Sequence, residues 1–210
     1  MFKYETLELG ELQTNCYLLW EEKSKEAVII DPADDGVSIS EEIERLQLKP
    51  KYILATHGHF DHNLGALDLK LIYKIPYCAS QKDLFLLKRQ QETAKYFLKK
   101  DIQVPNIKKI DIDFDDIKEL KLGKNIVKIL KCPGHTPGGL AFSADNLLFS
   151  GDTIFANGMV GRTDFEYSST KDLNNSVEKI LNLPKNTIIL SGHGEATTVA
   201  EAKQYFKADG

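Results

Sequence analysis

Tyr52-Ile53-Leu54-Ala55-Thr56-His57-Gly58-His59-Phe60-Asp61-His62 joins a short apolar run to a cluster of four metal-capable side chains. The run Tyr52 to Ala55 has the length of a buried strand. His57 and His59 stand two apart in an extended loop, so both can aim at one ion. Asp61 and His62 point elsewhere and can reach a neighbouring ion. Gly58 gives the backbone freedom to fold back between them. The competing reading is a polar turn that caps the helix following Asp61.

The rest of the chain offers partners for this loop. Of five histidines, three lie in it. The fourth, His135, sits in Cys132-Pro133-Gly134-His135-Thr136-Pro137-Gly138-Gly139, a run too rich in Gly and Pro for anything but a loop. The fifth, His193, sits in Ser191-Gly192-His193-Gly194, directly after the strand-like Thr187 to Leu190. Asp152 follows Leu147 to Ser150 in Ser150-Gly151-Asp152-Thr153. Each candidate therefore sits in a loop at the C-terminal end of a strand. Any one alone is as readily a surface histidine or a turn aspartate. A fold that gathers those strand ends at one edge makes them a single site.

Period-two patterning predicts further strands at Phe2 to Leu9, Cys16 to Trp20, Ala27 to Ile30, Glu119 to Leu122, Ile126 to Leu130, Leu140 to Phe142 and Leu147 to Phe149. Helical spacing predicts helices over Val37 to Leu48, His62 to Tyr73, Thr170 to Leu181 and Val199 to Phe206. Ser80 with Asp83 has the form of a capping box opening one longer helix through about Lys99. Strands dominate each half with helices between them, so two sheets sandwiched between helices fit better than a doubly wound sheet. Nothing demands a split, and residues 1–210 are expected to form one α/β domain.

The order HxHxDH, then His135 in a PGHTPG run, then Gly151-Asp152, then Gly192-His193-Gly194 resembles the metallo-β-lactamase superfamily over almost the whole chain. The resemblance implies a four-layer αβ/βα sandwich with the active site along one edge. It implies one metal on His57, His59 and His135, a second on Asp61, His62 and His193, and Asp152 bridging both. Asp31, in Ile29-Ile30-Asp31-Pro32, matches the family's early buried aspartate that supports the metal loop. Within the superfamily, Gly151 to Phe155, Gly161-Arg162-Thr163-Asp164 and Ser191 to Thr198 look like bacterial glyoxalase II-like hydrolases, also called hydroxyacylglutathione hydrolases. This chain departs from them in ending shortly after His193, without their C-terminal helical domain. The activity so implied is hydrolysis of a small acyl thioester such as S-lactoylglutathione. The alternative is a persulfide dioxygenase-like oxidoreductase with a single iron, sharing the Gly161 to Asp164 run and leaving Asp61 and His62 without a metal.

The chemistry fits such a set. Two ions about 3.5–4 Å apart can share a hydroxide and polarise a carbonyl, because a bound water's pKa falls from about 15.7 to about 7. Asp61 and Asp152 are the expected catalytic carboxylates, with Asp61 or a metal-bound water managing the proton. Nitrogen and oxygen donors suit zinc best, with iron or manganese as alternatives. Arg162 is a candidate for attracting an anionic substrate or, equally, a structural partner of Asp164. Tyr96 and Arg89, on the segment Gln81 to Lys100, are candidates for touching ligand from a covering helix or, equally, belong to an ordinary surface helix. Cys132 reads as a small buried residue rather than a ligand.

Composition limits the partners. The balance of 27 basic against 31 acidic residues gives −4, with no long basic run, so nucleic acid is not expected. No apolar stretch approaches the roughly 18 residues of a membrane span. The N-terminus lacks the apolar run of a signal peptide. Three widely spaced cysteines argue against a disulfide framework, and a cytoplasmic location is expected. Sequence leaves the oligomeric state open.

Overall fold

The computed structural model describes residues 1–206. Its chain builds two six-stranded sheets. The first runs in sequence order: β1 (Phe2–Leu9), β2 (Thr14–Glu21), β3 (Glu26–Ile30), β4 (Lys49–Leu54), β5 (Tyr77–Ala79) and β6 (Ile112–Asp113). The second runs β12 (Thr197–Thr198), β11 (Ile188–Ser191), β10 (Leu147–Gly151), β9 (Leu140–Ala144), β8 (Asn125–Lys131) and β7 (Glu119–Leu122). Hairpin neighbours pair antiparallel, whereas β3–β4, β4–β5, β5–β6 and β10–β11 are parallel.

Alternation along the strands sorts the core into layers. On β2, Tyr17 and Leu19 face the second sheet with Val28, Leu54, Phe142 and Phe149. Cys16, Leu18 and Trp20 face the other way, onto Ile39 and Ile43 of α1 (Gly36–Arg45) and Leu69 of α2 (Ala66–Tyr73). The second sheet turns Ala141, Leu148 and Ile189 onto Leu173, Val177 and Ile180 of α5 (Thr170–Leu181) and Val199 and Ala202 of α6 (Val199–Phe206). The result is the expected helix–sheet–sheet–helix sandwich. Both faces of β2 are covered, so its residues are buried throughout.

Two helices and three short strands differ from the sequence reading. The helix expected from His62 starts at Ala66, after a 3-10 turn over Phe60–His62. Leu64 and Gly65 give their amide protons to Ala33 and Pro32 instead of to a helical turn. Leu71 faces out, 75% exposed, while Ala66 and Leu69 carry the buried face. The long helix from Ser80 is broken into a 3-10 turn at Gln81–Asp83, α3 (Leu84–Leu87) and α4 (Gln90–Leu98). Its irregular apolar stripe is the cause: Leu87 enters the core beneath the first sheet, whereas Ala94 packs with Phe60 and Leu64. At the break, the Gln91 amide bonds the Asn106 side chain. The Ser80–Asp83 pair is no capping box. Ser80 Oγ accepts from the Lys82 amide and donates to Asp115, while the Asp83 carboxylate turns inward. Finally, β5, β6 and β12 are too short to show a period and were not anticipated.

Candidate metal centre

The parallel pairs β3–β4 and β10–β11 end at the same edge of the sandwich, where the loops after β8 and β11 join them. Cross-sheet bonds hold the edge closed. Leu140 N donates to Thr56 O (2.7 Å) and Asn15 N to Gly192 O (2.8 Å). Tyr17 Oη and Asn15 Nδ2, both on β2, donate to Ser191 O at 2.6 and 3.0 Å, which anchors the His193 loop.

Here the seven anticipated side chains converge. His57 Nε2 and His135 Nε2 lie 3.1 and 3.0 Å from His59 Nδ1. His62 Nε2 lies 3.4 Å from Asp152 Oδ1 and 3.6 Å from Asp61 Oδ2, and His193 Nε2 lies 3.3 Å from Asp61 Oδ2. Asp152 Oδ2 is 3.7 Å from both His135 Nε2 and His193 Nε2, between the two groups. The sets His57–His59–His135 and Asp61–His62–His193 each bring their donor atoms within metal-binding range of one another.

The far nitrogen of every imidazole has an oxygen partner. His57 Nδ1 bonds Thr56 Oγ1 (3.1 Å), His59 Nε2 the Tyr167 hydroxyl (2.9 Å), His62 Nδ1 Asp31 Oδ2 (3.0 Å), His135 Nδ1 Arg162 O (2.8 Å) and His193 Nδ1 Leu12 O (3.0 Å). Assigning one ring proton to each of those partners turns the other nitrogen of all five rings inward, as metal-ligating histidines require. Lone pairs about 3 Å apart repel unless a cation lies among them. Within the site, two buried atoms also lack a hydrogen-bond partner, His62 Nε2 and Asp152 Oδ1, and they lie 3.4 Å apart. A divalent cation would satisfy both. The donor set and its orphaned atoms fit the implied metals.

Charge follows burial and neighbours. Burial first, then His62 and His59, hold His57 well below the usual histidine value; burial and then His135 take His59 down to about 3. Burial opposes charge on His62 too, but Asp152, Asp61 and Asp31 outweigh it and raise this ring well above its ordinary value. Burial likewise opposes ionisation of Asp152, yet His62, His57 and His193 hold it well below the carboxylate range.

Asp31 hydrogen-bonds the His57 loop. It is buried at the end of β3 with a left-handed backbone (φ 49°), and its carboxylate accepts from Thr56 N (2.7 Å), Thr56 Oγ1 (2.6 Å) and His62. Gly151 makes room for this contact. Its φ is +50°, and a Cβ there would lie 2.4 Å from Thr56 Oγ1.

Sequence reasoning missed three supports. Asp83, fully buried, accepts from Gly58 N (2.8 Å), Gly138 N (2.6 Å) and Thr136 Oγ1 (2.7 Å), so one carboxylate ties the His57 loop to the His135 loop. Asn63 donates to His57 O (3.0 Å) and His59 O (2.7 Å) and accepts from Tyr77 Oη. Tyr167 orients His59. Only Asn63 carried a signal, adjoining the motif directly.

A cleft of about 270 Å³ opens onto His59, Asp61, His135 and Asp152. Leu12, Phe60, Phe97, Phe165 and Tyr167 wall it, with Arg162 at its border. Arg162 is bonded to Asp164 through Nε (2.6 Å), the structural pairing, and lies 4.6 Å over the Phe165 ring. Tyr96 and Arg89 are not among the residues lining the cleft. Tyr96 is 67% exposed under the Lys99 ammonium, and Arg89 pairs with Glu92. The helix turns Phe97 inward instead, stacked on Phe60. Cys132 is buried, its thiol pushed up to about 12 by burial, and stands outside the donor clusters.

Comparison with known proteins places this arrangement. Over 95% of this chain and 94% of the relative, the sequence is 37% identical to hydroxyacylglutathione hydrolase GloC of Haemophilus influenzae. The crystal structure of the BLEG-1 B3 metallo-beta-lactamase superposes with a TM-score of 0.88 at 32% identity, covering 96% of this chain and 97% of that one. That of TTHA1623 in a di-iron-bound form gives 0.83 at 30% identity, covering 96% and 98%. Residues 9–193 match the metallo-beta-lactamase superfamily family description, and the chain belongs to that superfamily.

Proposed function

We propose that this member of a metal-dependent hydrolase superfamily cleaves a small acyl thioester, S-lactoylglutathione or a related one, using two divalent ions. One ion would be held by His57, His59 and His135, the other by Asp61, His62 and His193, with Asp152 between them. Zinc suits the donors best, and the di-iron relative keeps iron in view. The observation that carries the reading is the mutually facing, unpartnered pair His62 Nε2 and Asp152 Oδ1 amid five inward-facing imidazole nitrogens. The ions, when bound, would supply Lewis acidity toward water and the acyl carbonyl.

The chain's own residues supply the rest. Asp61 lines the cleft and is held ionised: burial works against its charge, but His62 and His193 lower its pKa. Its Oδ2 accepts from Thr14 Oγ1 (3.2 Å), which orients the carboxylate toward the cleft. In the overall reaction a water oxygen bonds to the acyl carbon, the C–S bond breaks, and the proton lost by water reaches the sulfur. A thiolate, with a pKa near about 8.5, leaves with little acid assistance. The GloC relative supports the thioester.

We read residues 1–210 as one domain, since the core between the sheets draws on strands from both halves. A cytoplasmic location accords with Cys16, Cys78 and Cys132 all being buried free thiols. Among the described residues no helix is long and apolar enough to cross a membrane.

Metal analysis of the purified protein, combined with assays on thioesters, a lactone, a β-lactam and glutathione persulfide, tests the reading. Two ions per chain and thiol release are expected; His59→Ala should abolish the release and weaken the ion on His57, His59 and His135. A single iron with oxygen uptake on persulfide would replace the hydrolase by the oxidoreductase. Hydrolysis confined to the β-lactam would replace the thioester.

A further inference from the structure

The metal centre is flanked by two cavities of different character. The first is the aromatic cleft of about 270 Å³ described above. Its wall is assembled from separate segments: Leu12 after β1, Phe60 in the metal loop, Phe97 on α4, and Phe165 and Tyr167 in the loop before α5. Phe165 and Tyr167 stack at 5.1 Å and 11°, and Phe85 packs edge-on against Tyr167 at 5.4 Å. Side chains locked against one another in this way form a preshaped apolar slot. The Arg162 guanidinium adds a flat face over Phe165, its charge matched by Asp164. On the far side of His193 lies a second cavity of about 350 Å³, bordered by Phe155, Met159, Val160 and Glu195. Its rim is open, Met159 being 62% exposed.

We infer that the acyl group of the natural thioester is apolar and of about aromatic size, seated in the Phe97–Phe165–Tyr167 slot, while the thiol half runs out past His193. This rests on the thioester reading above and narrows it. A lactoyl group is small and carries a hydroxyl, so it would leave the ring faces uncovered and meet aromatic carbon with its polar atom. An aryl or branched alkyl group fills the slot and stacks. The slot of stacked rings suits the half of fixed shape, and the larger cavity past His193 suits the carrier.

The test is a matrix of four substrates on the metal-loaded enzyme: lactoyl and phenylacetyl thioesters, each of glutathione and of N-acetylcysteamine. The phenylacetyl compounds should exceed the lactoyl ones in kcat/KM by about tenfold or more on either thiol, the scale expected for filling an apolar pocket. Phe165→Ala and Phe97→Ala should each shrink that ratio at least about threefold, mainly through KM for the phenylacetyl substrates. Two variants on different elements keep the test usable if one fails to fold. Lactoyl preference, or a ratio that neither variant alters, would overturn the inference. No turnover of any of the four with both ions bound would instead end the thioester reading itself.

Discussion

Each imidazole of the centre uses one nitrogen inward and one outward, so the outward partners set the geometry of the inward lone pairs. His59 is held by the Tyr167 hydroxyl at 2.9 Å. Tyr167→Phe keeps the ring stacked on Phe165 yet removes the oxygen, and losing such a support typically weakens metal binding about tenfold or more. Chelator competition should show that drop with thermal stability of the metal-free protein unchanged. Equal affinity in both proteins would mean that the hydroxyl is only a neighbour. Asp31 is the opposite case, a buried carboxylate serving Thr56 N, Thr56 Oγ1 and His62. Asp31→Ala would strand the Thr56 amide and leave His62 free to turn. A cost of about 3 kcal/mol is expected by urea denaturation, since each buried donor left unpaired costs about 1–3 kcal/mol. Asp31 was legible because its position before Pro32 matched a pattern. Tyr167 was not, since 108 residues separate it from His59.

At the scale of elements, the segment after β5 shows what periodicity conceals. Ser80 and Asp83 stand at the spacing of a cap, and nothing in that spacing reveals whether the acid turns toward its own helix or across a gap. The tertiary demand won: the amides of Gly58 and Gly138 face a buried volume that only an acceptor can serve, and Asp83 supplies it. The same demand ends the 3-10 turn at Asp83 and leaves the long helix in pieces. Asp83→Ala should cost about 2 kcal/mol, less than its three lost bonds suggest, because burial raises the Asp83 pKa and removing the buried carboxylate recovers part of the loss. Ser80→Ala should cost distinctly less. Denaturation midpoints of the two variants decide it, and equal losses would restore the capping box. Strands of five residues or more were legible from alternation, as Cys16–Leu18–Trp20 against Tyr17–Leu19 shows. Those of two or three residues, β5, β6 and β12, hold too few side chains to alternate visibly.

For the whole molecule, the site was legible as residue types at strand ends and illegible as walls. Histidines and aspartates with one plausible chemistry announce themselves, whereas Leu12, Phe97 and Phe165 are ordinary apolar residues until the fold sets them around a cleft. The ligands also divide between the sheets: His57, His59, Asp61 and His62 follow β4, while His135, Asp152 and His193 follow β8, β10 and β11. Ions at the centre would therefore fasten one sheet to the other, and removing them should loosen the whole sandwich. At a thousandfold excess of metal over Kd, binding one ion stabilises by about 4 kcal/mol. For a chain of this size that is about 10 °C in Tm, which a thermal melt with and without chelator measures. Acid should strip the two sets in order. A raised ring pKa means that protons compete with the cation early as pH falls, and this is the state of His62 and His193 in the second set. A lowered one means that competition waits, and His57 lies well below its ordinary value while His59 lies at about 3. Dialysis from about pH 7 to about pH 5, across the ordinary range of histidine titration, should take the protein from two ions per chain toward one before the last is lost. Within that window the ion on His57, His59 and His135 is the one retained, so His193→Ala should remove the early step and leave the late one. Simultaneous loss of both ions, or an early step that survives His193→Ala, would show that the two sets titrate as one.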